Sequence, residues 1–91
     1  MMTGILPGDD LVAAGLRDLA GGLESCEALL VSIGAPRLSR LGFAVVNPLP
    51  DAEHRLYECL AAADRASAHS RYNALIRRLV SFERAAECAR P

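Results

Sequence analysis

"HSRYNALIRRLVSFERAAECAR", residues 69–90, sets five arginines, a histidine and two glutamates among apolar residues. At about 100° per residue, Phe82, Leu75, Ala86, Leu79, Tyr72, Ile76 and Val80 fall on one broad helical face. That arc covers more than half of the helix and is wide enough to meet two neighbouring helices. Arg77 and Arg84 lie together on one side of it, and Arg71 and Arg78 on the other. Their aliphatic stems suit the rims of an apolar face, and they form no continuous basic stripe. The stretch is therefore first a core helix, predicted over 66–89, and it makes the fold all-α with its last helix longest and central.

Three polar residues depart from that pattern. Glu83 projects near the middle of the apolar arc, and Arg65 and His69 lie on or beside it. A bare carboxylate is costly to bury, so a buried Glu83 needs a partner. A structural ion pair or hydrogen bond to a neighbouring helix is the favoured reading. Cover by a second subunit and a perturbed catalytic acid are the other two. Arg65, His69, Tyr72 and Glu83 are thus taken as a polar cluster for binding, and no residue is assigned as catalytic.

Working outward, the chain divides into further helices. Near Asp64 to Ser67 it turns, and either Asp64 or Ser67 can cap the last helix. "PDAEHRLYECLAAAD" predicts a helix over 50–63, with acids in its first turn, where the helix dipole favours them. Leu56, Leu60 and Ala63 form its stripe, Tyr57 lies at the edge, and Asp51 and Arg55 stand four apart for a surface pair. "FAVVNPLP" contains two prolines and reads as an extended connector over 43–49, with Phe43 and Val45 pinning it to the core. "PRLSRLG" reads as a short helix over 36–41 closed by Gly42. Before it, Gly21-Gly22 divides an apolar stripe of Val12, Leu16, Leu19 and Leu23 from Cys26, Leu30 and Ile33. We read two helices there, 9–21 and 25–34, with Asp9 or Asp10 capping the first and Ser25 the second. Residues 1–8 are expected to be a flexible N-terminus. The expected architecture is a single domain over 1–91, an orthogonal or bundle-like arrangement of four to five helices.

Composition narrows the function classes. Just over half of the 91 residues are apolar, which argues against disorder. No run approaches the roughly 20 apolar residues needed to span a bilayer, and no leader pattern opens the chain, so a cytoplasmic protein is expected. All ten basic residues are arginine, which suggests a GC-rich bacterial source. Charge is uneven: residues 1–64 hold four arginines against nine acids, and residues 65–91 six arginines against two. The three cysteines, Cys26, Cys59 and Cys88, show no paired spacing and read as small apolar side chains rather than a disulfide framework.

Little recognisable chemistry remains. His54 and Glu58, four apart, could begin a metal site with His69 and a cysteine, but no zinc motif accompanies them and no metal is assigned. No nucleophile elbow, phosphate loop or Cys–His pair is present, and no cofactor is expected. The favoured reading is a small accessory or protein-interaction module without catalysis of its own, self-associating as a homo-oligomer because its core is small. The alternative is a helix-turn-helix-like nucleic-acid binder using Ser70, Arg71, Asn73, Arg77 and Arg78. An isoelectric point near 6.1 and an acidic preceding helix weigh against it.

Overall fold

The structure, a computed structural model, describes residues 6–89. Its helices are α1 (Asp9–Ala20), α2 (Cys26–Ile33), α3 (Ala35–Arg40), α4 (Ala52–Ala63) and α5 (Ala68–Ala89), with a 3-10 turn at Arg65–Ser67 leading into α5. There is no strand among the described residues. The expected five helices are present, each within about two residues of its predicted bounds.

Local signals account for most of the boundaries. At the end of α1 the Leu23 amide donates to the Asp18 carbonyl (2.8 Å) and the Gly22 amide to the Leu19 carbonyl (3.1 Å). This is a Schellman closure, and Gly22 takes the left-handed φ of 79° that it requires. The same closure ends α3: Phe43 N–H meets the Leu38 carbonyl, Gly42 N–H meets that of Ser39, and Gly42 has φ 100°. Ser25 caps α2, its hydroxyl oxygen accepting from the Ala28 amide at 3.1 Å. α4 starts at Ala52, not Pro50, because Asp51 is left-handed (φ 53°) and so stands outside the helix. For α1 the cap position belongs to Gly8, and Asp9 and Asp10 occupy the first turn, where their charge meets the helix dipole. Residues 1–5 of the expected flexible N-terminus lie outside the described residues. Leu6 packs against the core, and Asp9 N–H closes a turn onto its carbonyl.

α5 packs on α1, α2 and α4, and α2 reaches all four other α-helices. The centre is thus shared between the longest helix and one of the shortest. In α2, Ala28, Leu29, Leu30 and Val31 are all buried, which is why it reads as apolar on every side. α1 approaches α2 closely at Gly15. A Cβ there would lie 2.4 Å from the Glu27 carbonyl oxygen and 2.7 Å from Val31 Cγ1, so only glycine permits this approach.

The connector lies on the core through Phe43 and Val45, as expected. Phe43 meets Phe82 of α5 with ring centroids 5.3 Å apart, tilted by 53°. Buried Ser32 holds the far end of the connector: its hydroxyl donates to the Ala28 carbonyl (2.7 Å) and accepts from the Leu49 amide (2.9 Å).

Three sequence expectations are corrected. Cys26 and Cys59 form a disulfide between the first residue of α2 and the second half of α4, with Cα atoms 6.2 Å apart. Their spacing along the chain carried no sign of it, because the packing of α2 on α4 is what brings them together. Arg55 pairs with Glu24 on the α1–α2 turn and not with Asp51. Leu23, placed on the α1 stripe, lies beyond the closure of the helix and is 60% exposed.

Candidate functional site

The predicted polar cluster does not assemble. Glu83 is buried, with 4% of its surface exposed, and lies over the α2–α3 corner. A Cβ at Gly34 would come within 2.7 Å of its Oε2. Its ionic partner is Arg37 of α3, Nη1 to Oε1 at 3.7 Å, and the other Arg37 nitrogen donates to Glu87 at 2.9 Å. Burial pushes the Glu83 carboxyl above the usual carboxylate range, and the Arg37 guanidinium opposes that rise. This is the inter-helix ion pair favoured for a buried Glu83. Among the described residues Arg37 is the only ion-pair partner of Glu83, and Arg37 is shared with Glu87.

Arg65 and His69 sit at the opposite end of α5, exposed. The His69 Nε2 is 3.2 Å from the Asn73 amide nitrogen, one turn on. Tyr72 faces neither of them: its ring meets Tyr57 of α4 with centroids 6.0 Å apart at 54°. Burial, and then the Glu53 carboxylate, raise the Tyr72 phenol above its ordinary pKa. Tyr57 remains 40% exposed, so the tyrosine pair forms a partly open aromatic surface on the α4–α5 face.

The nucleic-acid set is dispersed as well. Arg78 donates to Asp10 of α1 at 3.1 Å, and the Ser70 hydroxyl donates to the Ser67 carbonyl at 3.1 Å. With Asn73 held by His69, Arg71 and Arg77 are left without an ion pair or side-chain hydrogen bond among the described residues. Six positions separate these two, which sets them about 120° apart around the axis. His54 and Glu58 pair with each other at 3.2 Å on the exposed face of α4. Among the described residues no three His, Cys, Asp or Glu side chains gather as a metal site.

A groove of about 370 Å³ lies where α1, α2, α4 and α5 meet. Leu30 and Leu60, both buried, form its floor, and half-buried Leu11 and Leu75 form its sides. Cys26, one end of the disulfide, also lines it, as do Glu27 and Arg71. Those two charges are opposite in sign, yet among the described residues they do not close into an ion pair and neither has another ion-pair or side-chain hydrogen-bond partner. Sequence reasoning missed this groove because its lining comes from four separate helices. The one hint was Arg71, which flanks the apolar arc of α5 beside Leu75.

No family model, no curated protein and no solved structure matches the chain. No described helix is long and apolar enough to cross a membrane.

Proposed function

We propose that this protein is a small interaction module that acts by binding rather than catalysis, and that it pairs with a second copy of itself through the α4–α5 face. The observation that carries the reading is the Tyr57–Tyr72 pair, an aromatic surface left partly open beside half-buried Ile76. Tyrosines are enriched at protein interfaces because a rigid apolar ring and a hydrogen-bonding hydroxyl both contribute there. The small size of the core supports it too, since self-association adds burial that a chain of this length lacks.

Light scattering across a concentration series tests this. A dimer at tens of micromolar, returned to monomer by Tyr57→Arg with unchanged helicity, is the expected result; a wild-type monomer throughout overturns it. Nucleic-acid binding is the alternative reading, supported by Arg71 and Arg77, which have no ion pair among the described residues. It predicts a mobility shift at low salt that fades steeply as salt rises.

A cytoplasmic location and a bacterial source belong to the same proposal. A reducing cytosol disfavours structural disulfides, so the Cys26–Cys59 bond is the feature that tests the location. Thiol trapping in freshly lysed cells finds Cys88 alone reactive where the bond persists, and all three cysteines where it does not.

A further inference from the structure

We infer that the groove between α1, α2, α4 and α5 binds a small zwitterion with an apolar side chain, of the class of the apolar α-amino acids. Its floor and sides are leucines: Leu30 and Leu60 are buried, and Leu11 and Leu75 are half-buried. At about 370 Å³ it falls within the size range of small-molecule sites, roughly 300–1,000 Å³. An apolar groove alone would take any oily group. The two charges that line this one restrict the choice.

Glu27 and Arg71 both line the groove, and each lacks an ion pair or side-chain hydrogen bond among the described residues. Elsewhere Arg78 closes onto Asp10, and Arg55 onto Glu24, whereas Glu27 and Arg71 border the same groove without such a partner among the described residues. A guanidinium presents a planar fork that suits a carboxylate, while a carboxylate accepts from an ammonium group. An aliphatic acid would satisfy Arg71 and meet repulsion from Glu27. An aliphatic amine would do the reverse. A ligand carrying both groups on one carbon, with a branched or aromatic side chain, can satisfy both charges and fill the leucine floor.

The framework of the groove is held independently of any ligand. The disulfide joins α2, which supplies Cys26, Glu27 and Leu30, to α4, which supplies Leu60. Gly15 brings α1 directly against the Glu27 carbonyl. Binding therefore needs little rearrangement, and the entropic cost of ordering the site is largely met by the fold.

The test is a protein-observed NMR titration of the full chain under non-reducing conditions with L-leucine, L-phenylalanine, hexanoate and hexylamine. Saturable shifts confined to residues around Leu11, Leu30, Leu60 and Leu75 are expected with at least one of the two amino acids. The acid and the amine should each bind at least about tenfold more weakly, the factor expected for losing one charged contact. Glu27→Gln and Arg71→Ala should each weaken amino-acid binding by a similar factor while leaving the spectrum folded. Both residues lie at the surface of the groove, and Arg71→Lys serves as a second variant should Arg71→Ala perturb the fold. No saturable shift with either amino acid overturns the inference, as does hexanoate or hexylamine binding as tightly as the amino acids. Shifts outside the groove overturn it too. None of these outcomes depends on whether the chain dimerises through Tyr57 and Tyr72.

Discussion

The two halves of α5 are built from the same kinds of residue and do different work. In the C-terminal half, Leu79, Phe82, Glu83 and Ala86 are all buried, and Glu83 is held by an arginine from another helix. In the N-terminal half, His69 and Asn73 are exposed, as is Arg65 in the turn before it, Tyr72 rests on the Tyr57 ring, and Leu75 borders an open groove. The periodicity of the helix is continuous through both. The difference comes from what stands opposite: the α2–α3 corner and the Phe43 connector close over one half, while Leu11, the first turns of α2 and Leu60 of α4 leave an open groove beside the other. A polar residue on an apolar arc is thus structural or solvated according to its neighbours, not its position in the pattern.

The largest expected effect breaks the packed half. Phe82→Ala removes the ring that Phe43 rests on and should cost about 3–5 kcal/mol in chemical denaturation. A loss below about 1 kcal/mol would mean that the connector and α5 are not packed as described.

Next comes the covalent link behind the open half. Cys26 and Cys59 are 33 positions apart, so opening their bond frees a long loop in the unfolded chain. Replacing both with serine should lower stability by about 3–4 kcal/mol. Hydrogen exchange is expected to accelerate first in α4 and in α5 around residue 75. Uniform acceleration across the chain would show that the two halves open together and remove the distinction drawn between them.

Glu83 sharpens the comparison through pH. Its carboxyl is raised above the ordinary 4.5 by burial, so the folded state favours the protonated form. The sign follows: this contribution to stability is full below the unfolded value of 4.5 and is lost as pH rises through the higher folded value. Glu83→Gln, which cannot ionise, should therefore gain stability relative to wild type as pH rises through that window. A difference between the two proteins that stays flat with pH, or falls, would show that Arg37 outweighs desolvation.

The smallest effect belongs to the exposed end. His69→Ala and Arg65→Ala should each change stability by less than about 0.5 kcal/mol, as surface substitutions do. A loss above about 1 kcal/mol from either would place that residue in a contact of the Glu83 kind.

Much of the local structure was legible because it is written in neighbouring residues. Gly22 and Gly42 end helices by taking a left-handed conformation that a side chain disfavours, and Ser25 caps the residue three positions on. Both signals act within one turn. The apolar arc of α5 was readable for the same reason, since period alone places Leu79, Phe82 and Ala86 on one face. Of the candidate site, only the pairing of a buried Glu83 was anticipated, because a buried carboxylate must be paired whatever the fold.

What the sequence determined by itself is the set of helices, their ends, and the face that α5 turns inward. Each follows from backbone sterics, capping or periodicity over a few residues. The tertiary structure alone decided that Arg37 would be the partner of Glu83, that Arg55 would reach Glu24, and that Cys26 would bond to Cys59. It also decided that Gly15 would be a point of contact and that four leucines from four helices would surround one groove. These are meetings between residues tens of positions apart. The angles at which helices pack bring them about, and no local pattern in the chain encodes those angles.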